Sequence, residues 1–297
     1  MSSVPEILDA DHAMRNWQGA VSGHVAVGSD AHKSLFCRML LDTHNPYKPA
    51  IMAWPKLSPD ALRRITALPI WDIAVQTEGR AMLRARTYAD TVSDPLLREA
   101  LTMDANEEAR HKVVLSHLVQ NYGIALAPEP QYEVPKDPEW DWLVTGYSEC
   151  IDSFFGFGLF ESANRTGYFP AELVETFEPV IQEEARHILF FANWTAWYRR
   201  QLPWWRRVWF KFKVIGVWGF LVWERVGIAR GLDSKGKMQD ANFAVSSGRQ
   251  LDSELKLGKL LELCLVENER RMKGYDQRLL RPTVVPRVAR LIHKFVH

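Results

Sequence analysis

The chain has 297 residues, of which 47% are hydrophobic and 25% are charged, and its formal net charge is +1. This composition is that of a globular protein long enough for one large domain with appendages, and the balanced charge argues against a nucleic-acid-binding protein. The three cysteines, Cys37, Cys150 and Cys264, form no Cys-x-x-Cys pair, which argues against a disulfide framework and against a cysteine-ligated iron site.

Residues 1–57 are predicted to form an N-terminal arm with one helix. The first residues lack a basic region followed by an apolar run, so we expect no secretory signal and a cytoplasmic location. Ser29 can cap a helix that runs to about Leu41, and three prolines interrupt the chain after it. We expect the histidines of the arm to be surface or packing residues rather than metal ligands. They are His12, His24, His32 and His44.

Two long helices are predicted next, at residues 69–90 and 95–122. The stripe of the first helix that faces the core is apolar except for Glu78. The second helix carries Glu108 in the middle of a leucine-rich stripe. Because the turn lies midway between the two glutamates, an antiparallel hairpin would bring them side by side.

Another pair of long helices is predicted at 138–167 and 171–201, after a crossover that contains three prolines. The core-facing stripe of the last helix contains Glu184 and His187 among apolar residues. Two helical hairpins joined by a long crossover are one way to build a four-helix bundle.

The pentapeptide Glu-Glu-Ala-Arg-His occurs twice, at residues 107–111 and 183–187. In each copy the second Glu and the His stand three residues apart, so on a helix they project from one face. One Glu-x-x-His pair is a weak signal. Two identical copies in apolar surroundings are not expected of solvated helix faces, and we predict that each copy supplies half of one metal site.

The third long helix offers two carboxylates for the remaining ligand, Glu149 and Glu161, whose directions on a regular helix differ by about 120°. In an antiparallel hairpin, residues at equal distances before and after the turn lie side by side. Glu149 is about as far before the turn as Glu184 is after it, so Glu149 is our first choice. Glu161 stays an alternative ligand or a hydrogen-bond partner of one, because Gly156 and Gly158 could permit a π-bulge that changes the register. Small residues around Glu149 indicate either room for a substrate or close helix packing.

Together these side chains predict a site for two metal ions, since carboxylates can bridge two cations and six protein ligands leave coordination positions open for dioxygen. The predicted ligands are Glu78, Glu108, His111, Glu149, Glu184 and His187. Oxygen and imidazole ligands without thiolate favour iron over structural zinc, so we expect two iron ions, with manganese as the alternative. We expect Tyr147, Asp152 and Glu161 to serve as proton donors or as partners of the ligands.

On these residues the four predicted helices resemble the ferritin-like superfamily of non-haem di-iron carboxylate proteins. The resemblance covers about residues 69–202 and implies an all-α fold, with a ferritin-like four-helix bundle at 58–202, the N-terminal arm at 1–57 before it and a C-terminal helical extension at 203–297 after it.

This resemblance implies an enzyme, an oxygen-activating di-iron oxidoreductase of the oxygenase, hydroxylase or oxidase type. It would take dioxygen, electrons from an external donor, and a small or hydrophobic organic substrate, with lipid-like molecules among the candidates. Two alternatives stay open. One is iron oxidation or peroxide removal, as in ferritins and rubrerythrins, and the other is a non-enzymatic scaffold at a membrane surface that kept the fold.

The last third of the chain mixes tryptophan with positive charge, and residues 188–223 contain no Asp or Glu. Tryptophan, Arg and Lys together favour the headgroup layer of a membrane, so residues 203–223 and the basic tail 286–297 are predicted to contact the inner face of the membrane peripherally. The alternatives are an ordinary packed helix and a homodimer interface. A last long helix is predicted at 251–280, and no nucleic-acid partner is expected.

Overall fold

A computed structural model of the chain describes residues 12, 14–20, 22–46, 53–229 and 257–296, with only the backbone of 227–229. These residues contain nine bounded helices and no β-strand. The helices are α1 (Asp30–Asp42), α2 (Pro59–Thr66), α3 (Trp71–Thr91), α4 (Pro95–Asn121), α5 (Pro138–Arg165), α6 (Ala171–Gln201), α7 (Trp204–Ala229), α8 (Leu257–Met272) and α9 (Val284–His293). The all-α prediction is confirmed.

Local capping signals explain why the bounds of the long helices α4 and α5 follow the predicted ones closely. The Asp94 carboxylate accepts a hydrogen bond of 2.9 Å from the amide of Leu97 at the start of α4, and Asp137 caps α5 in the same way. Gly123 and Gly167 follow α4 and α5 with φ of 65° and 67°. This left-handed conformation ends a helix at low cost only for glycine.

The four long helices pack around one core. α3 lies along α4, α5 contacts both α3 and α6, and α4 meets α6 over a shorter stretch. Tyr88, Trp142 and Trp194 come from three of these helices and form a buried aromatic layer with ring centroids 5.4 to 5.8 Å apart. Such large rigid side chains fix the spacing of the helices that carry the predicted ligands.

The helix of the N-terminal arm, α1, lies across α4 and α6. Its His32, Phe36 and Leu40 are fully buried. The Nε2 atom of His32 lies 3.0 Å from the side-chain oxygen of Asn193 in α6, so this histidine is a packing residue, as expected. The arm therefore covers the outer side of the two helices that carry the repeated pentapeptide.

The helices after α6 pack mainly on α5. α7 contacts α5 and α6, α8 lies along α5 and touches α6, and α9 contacts α8 and α5. Gly158 of α5 permits the approach of α8, because a Cβ there would lie 2.4 Å from the sulfur of Cys264. Within the described part of the chain, no helix has the length and apolar character needed to cross a bilayer.

The last predicted helix, 251–280, is shorter at its C-terminal end in the structure, and the start of its predicted range lies outside the described residues. α8 ends at Met272 because the chain turns at Gly274, where an added Cβ would lie 2.1 Å from the carbonyl oxygen of Arg15. The next residue, Tyr275, forms a β-bridge with the N-terminal arm. The helix therefore ends at a contact with a distant segment of the chain, and the local sequence does not predict that contact.

Candidate metal centre

The two copies of the pentapeptide face each other across α4 and α6. Glu108, His111, Glu184 and His187 each present one ligand atom, and these four atoms all lie within 4.8 Å of one another. The Nδ1 atom of His187 lies 2.8 Å from Oε1 of Glu108, and Nδ1 of His111 lies 3.2 Å from Oε1 of Glu184. Each imidazole thus points Nδ1 at the glutamate of the other copy.

The opposite ring nitrogen of each histidine meets a second carboxylate. Nε2 of His187 lies 2.9 Å from Glu107, and Nε2 of His111 lies 2.8 Å from Glu183. In the tautomer in which Nε2–H donates to the carboxylate, Nδ1 presents its lone pair to the centre. A carboxylate behind the imidazole is the usual way in which proteins orient a metal-binding histidine.

The arginine of each copy holds the same carboxylate as the histidine beside it. Arg186 places Nη1 2.9 Å from both oxygens of Glu107, and its Nε donates to the hydroxyl of Thr43 at 2.6 Å. Arg110 donates to Glu183 at 2.5 Å. Every charged residue of the repeat therefore has a role in one approximately two-fold arrangement, in which each copy completes the other.

The buried glutamates around the centre have different electrostatic surroundings. Burial alone would raise the pKa of Glu107, but the charge of Arg186 and hydrogen bonds from His187 outweigh it and hold that pKa well below its ordinary value. Burial, followed by repulsion from neighbouring carboxylates, raises the pKa of Glu108 and of Glu149 well above the ordinary value. At Glu184, burial is outweighed by hydrogen bonds and charge from His111, which lower its pKa. Glu108 and Glu149 are therefore the carboxylates whose charge a metal ion would stabilise.

The remaining predicted ligands lie around the same four residues. Oε2 of Glu78 is 3.6 Å from Nδ1 of His111, and both Glu78 and Glu149 line the cavity beside the centre. The Oε1 atom of Glu149 is buried without a hydrogen-bond partner. Glu161 is not among the cavity residues and pairs with Arg165 at 2.5 Å on an uninterrupted α-helix. The structure thus brings together the first-choice set of ligands and leaves Glu161 apart.

The other two residues predicted to move protons occupy different places. Asp152 lines the cavity, where its Oδ2 accepts hydrogen bonds from Ser148 at 2.8 Å and from Arg225 of α7 at 2.7 Å. Tyr147 packs edge-on against Phe191, with ring centroids 5.0 Å apart, and does not line the cavity. Of the three, only Asp152 lies beside the centre.

Several buried charged residues around the predicted ligands had no role in the sequence-based prediction. Asp104 is buried one turn before Glu108, neither of its oxygens has a hydrogen-bond partner, and burial raises its pKa to about 6. Glu107, Glu183 and the two arginines were part of the repeat but were given no role. The sequence did contain an indication of these residues. Metal binding explains why the Glu-x-x-His pair occurs twice, but it does not explain why the other residues of the pentapeptide are also the same in both copies.

A cavity of about 150 Å³ opens beside the carboxylates. Its walls are mostly apolar, and Ser153 on the α5 side donates a hydrogen bond of 3.0 Å to Glu184. A second cavity of about 100 Å³ shares Gly156, Phe177 and two aliphatic residues with the first and is lined almost entirely by apolar side chains. Together they extend from the centre towards the α5–α6 turn.

The small residues on α5 have two different roles. A Cβ at Gly146 would lie 2.1 Å from the ring of Phe191, so this glycine permits close packing of α5 on α6. A Cβ at Gly156 would meet nothing within 4 Å, and this glycine borders both cavities. Close helix packing therefore applies at Gly146, and there is open space at Gly156.

The donor set fits a pair of hard to borderline cations such as iron or manganese, because it contains carboxylates and imidazoles and no thiolate. The buried, unpartnered carboxylate oxygens and the converging Nδ1 atoms support this fit. No protein-family model, no curated protein and no solved structure matches the chain. Functional inference therefore rests on the residues of the site.

Proposed function

We propose that this protein is a non-haem di-iron oxidoreductase with a ferritin-like four-helix bundle, and that it uses dioxygen to oxidise an organic substrate. The observation that carries the proposal is the reciprocal arrangement of the two pentapeptides, in which each imidazole faces a glutamate of the other copy and is held from behind by a second one. Ordinary structural ion pairs do not need two histidines oriented in this way.

In this proposal the metal ions bind to the six side chains around the centre, which are Glu78, Glu108, His111, Glu149, Glu184 and His187. When bound, iron supplies the redox and Lewis-acid chemistry that amino-acid side chains cannot provide. The ion pair with Arg186 keeps Glu107 charged, and Arg110 donates to Glu183. In this arrangement the two carboxylates hold the imidazoles in the ligating tautomer. The surrounding core excludes water from the reacting atoms.

The cavities favour an organic substrate. An apolar molecule can occupy the second cavity and extend through the opening at Gly156 to the carboxylates. Asp152 and Ser148 are the polar groups positioned to orient a polar end of that molecule. The Asp152 carboxylate accepts a hydrogen bond from Arg225, which fixes its orientation at the cavity wall. In this proposal the electrons would come from an external donor.

A reducing, cytoplasmic location agrees with the unpaired state of the cysteines. Cys37, Cys150 and Cys264 are all free and buried. Burial raises the pKa of each thiol, so they are protonated packing residues without a part in redox chemistry.

Metal analysis tests the proposal. The purified protein should contain about two iron ions per chain, and after reduction it should consume dioxygen. Glu108→Ala and His187→Ala should lose most of the iron. Glu161→Ala is the matched control, because this residue pairs with Arg165 away from the centre, and its iron content should be unchanged.

Unchanged iron in the two ligand variants would contradict the metal site. Turnover of peroxide without an organic substrate, or assembly into a closed shell, would instead indicate iron handling as in rubrerythrins and ferritins. A metal-free protein of full stability would support a non-enzymatic role for the fold.

A further inference from the structure

α7 has one buried face and one exposed apolar face. Phe210, Val217, Leu221 and Glu224 are buried at a spacing of three to seven residues, on the face that packs on α5. The opposite face carries the large exposed side chains of the helix. They include Trp204 at 76%, Trp209 at 72%, Phe212 at 60%, Trp223 at 59% and Ile215 at 55% exposure.

This apolar face runs at least from Trp204 to Trp223, a distance of about 29 Å at 1.5 Å per residue. Monomeric proteins rarely expose a continuous apolar surface of this size unless it binds something. The helix does not meet the length and apolar composition of a membrane span. Its apolar side chains are therefore suited to lie along a surface rather than to pass through one.

Positive charge borders the exposed face. Arg206 and Lys211 are exposed on α7, and the segment 188–223 contains no acidic residue. Lys213 and Arg225 point to the protein side, where they pair with Asp137 at 2.8 Å and with Asp152. Lys213 and Arg225 thus pair within the fold, whereas no acidic residue of the described part of the chain forms an ion pair with Arg206 or Lys211.

The short helix α9 repeats the pattern. Val288, Leu291 and Phe295 are exposed at 51%, 57% and 79%, and Arg287 and Arg290 lie between them. No acidic residue follows Asp276 in the chain. Two separate segments of the extension therefore combine exposed apolar side chains with positive charge that forms no ion pair with the acidic residues the structure describes.

We propose that the exposed face of α7 docks on the surface of an anionic lipid bilayer. Its tryptophans and aliphatic side chains would enter the boundary between headgroups and acyl chains, while Arg206 and Lys211 bind lipid phosphates. A second copy of the chain fits less well. A symmetric dimer through α7 would bring the same positive charges together, and no acidic residue on the exposed face would compensate them.

Docking would place the metal centre close to the bilayer. Arg225, on the inner side of α7, donates to Asp152 and to Ser148 at 3.0 Å, and both line the cavity beside the carboxylates. If the proposed function holds, this is a short route by which a hydrophobic substrate could reach the cavity from the membrane. The docking itself needs no metal, so its failure and the failure of the proposed function can be told apart.

Flotation with vesicles tests the docking. The full-length protein, with or without iron, should float with vesicles of phosphatidylcholine and phosphatidylglycerol and far less with phosphatidylcholine alone. Trp209→Glu with Phe212→Glu should weaken partitioning by at least about tenfold. Lys211→Glu should weaken it by roughly fivefold or more on the anionic vesicles, and added salt should reduce that difference.

Val134→Glu is the matched control, because this exposed valine, at 66%, lies outside α7 and should not affect flotation. Thermal melting should be similar for all variants, since the substituted side chains are exposed. Wild-type protein that stays unbound, or a Trp209→Glu/Phe212→Glu variant that floats as wild type does, would overturn the proposal. So would a wild-type dimer in solution that Trp209→Glu dissociates and that does not bind vesicles.

Discussion

The buried ion pair behind His187 should be essential for the fold as well as for the metal. Replacing Arg186 by methionine removes a fully buried guanidinium that contacts both oxygens of Glu107 at 2.9 Å and the hydroxyl of Thr43 at 2.6 Å. The Glu107 carboxylate is then buried without its main cation. Breaking one side of such a pair costs about 3–5 kcal/mol of the free energy of unfolding.

A double-mutant cycle isolates the pair. Glu107→Met should cost a similar amount, because it leaves the arginine charge uncompensated. The double variant should be more stable than the sum of the two losses predicts, by up to about 3 kcal/mol, since two apolar side chains of similar volume replace the pair. Guanidinium denaturation of the metal-stripped proteins, followed by circular dichroism, measures these differences without the stabilisation that bound metal adds.

The two single variants should differ in iron affinity. Glu107→Met removes the acceptor of Nε2 of His187 and should lower the affinity about 10- to 100-fold. Arg186→Met keeps that acceptor and should lower it less. Arg199→Met, at the exposed end of α6, is the control and should change neither the free energy of unfolding nor the iron affinity. The proposed role of the Arg186–Glu107 pair would be refuted if the losses in the free energy of unfolding were strictly additive. It would also be refuted if Arg186→Met lowered that free energy by less than about 1 kcal/mol.

Three further substitutions test other parts of the fold. Burial acts to raise the pKa of Glu178, but hydrogen bonds and charge from Arg271 outweigh it. Because this folded-state pKa is lowered, the stabilisation exists above the ordinary carboxyl pKa of about 4.3 and disappears as the pH falls through the folded value. Glu178→Gln should therefore be less stable than wild type at neutral pH, by about 1–2 kcal/mol, and denaturation curves should converge in acid. Gly146→Ala should destabilise the protein, because overpacking against Phe191 costs about 1–3 kcal/mol and exceeds the helix-propensity gain. Gly156→Ala places its methyl group in open space and should stabilise α5 by about 0.5–1 kcal/mol. Because it narrows the cavities, it should also reduce the proposed substrate oxidation. Equal melting temperatures for the two alanine variants would contradict the expected difference in stability.

The four long helices could be predicted from the sequence because their signals are local. In α4 and α5, proline at the first turn, an aspartate cap and glycine after the last turn set the bounds. In all four helices, apolar periodicity identified the inward stripes. The hairpin symmetry that selected Glu149 over Glu161 depends only on these bounds. The structure places Glu149 at the cavity and pairs Glu161 with Arg165.

The supporting carboxylates could not be predicted in the same way. Glu107 and Glu183 stand one residue before the predicted ligands, so they point about 100° away from the inward stripe. They are buried because the arm covers them. His44, expected at the surface or in packing, lies 2.6 Å from Glu107, and the carbonyl of Asn45 accepts from Arg110 at 2.6 Å. Such contacts join residues more than sixty positions apart, beyond the reach of periodicity.

The reciprocal repeat also constrains how the sequence can vary. Glu107 pairs with Arg186 and His187, whereas Glu183 pairs with Arg110 and His111. A substitution in one copy is therefore best compensated in the opposite copy, more than seventy residues away, and not by its immediate neighbours. Among related sequences, positions 107 and 186 should change together, as should 110 and 183. At this centre, the residues expected to vary together are those that pair between the two copies, not those that are adjacent within one pentapeptide.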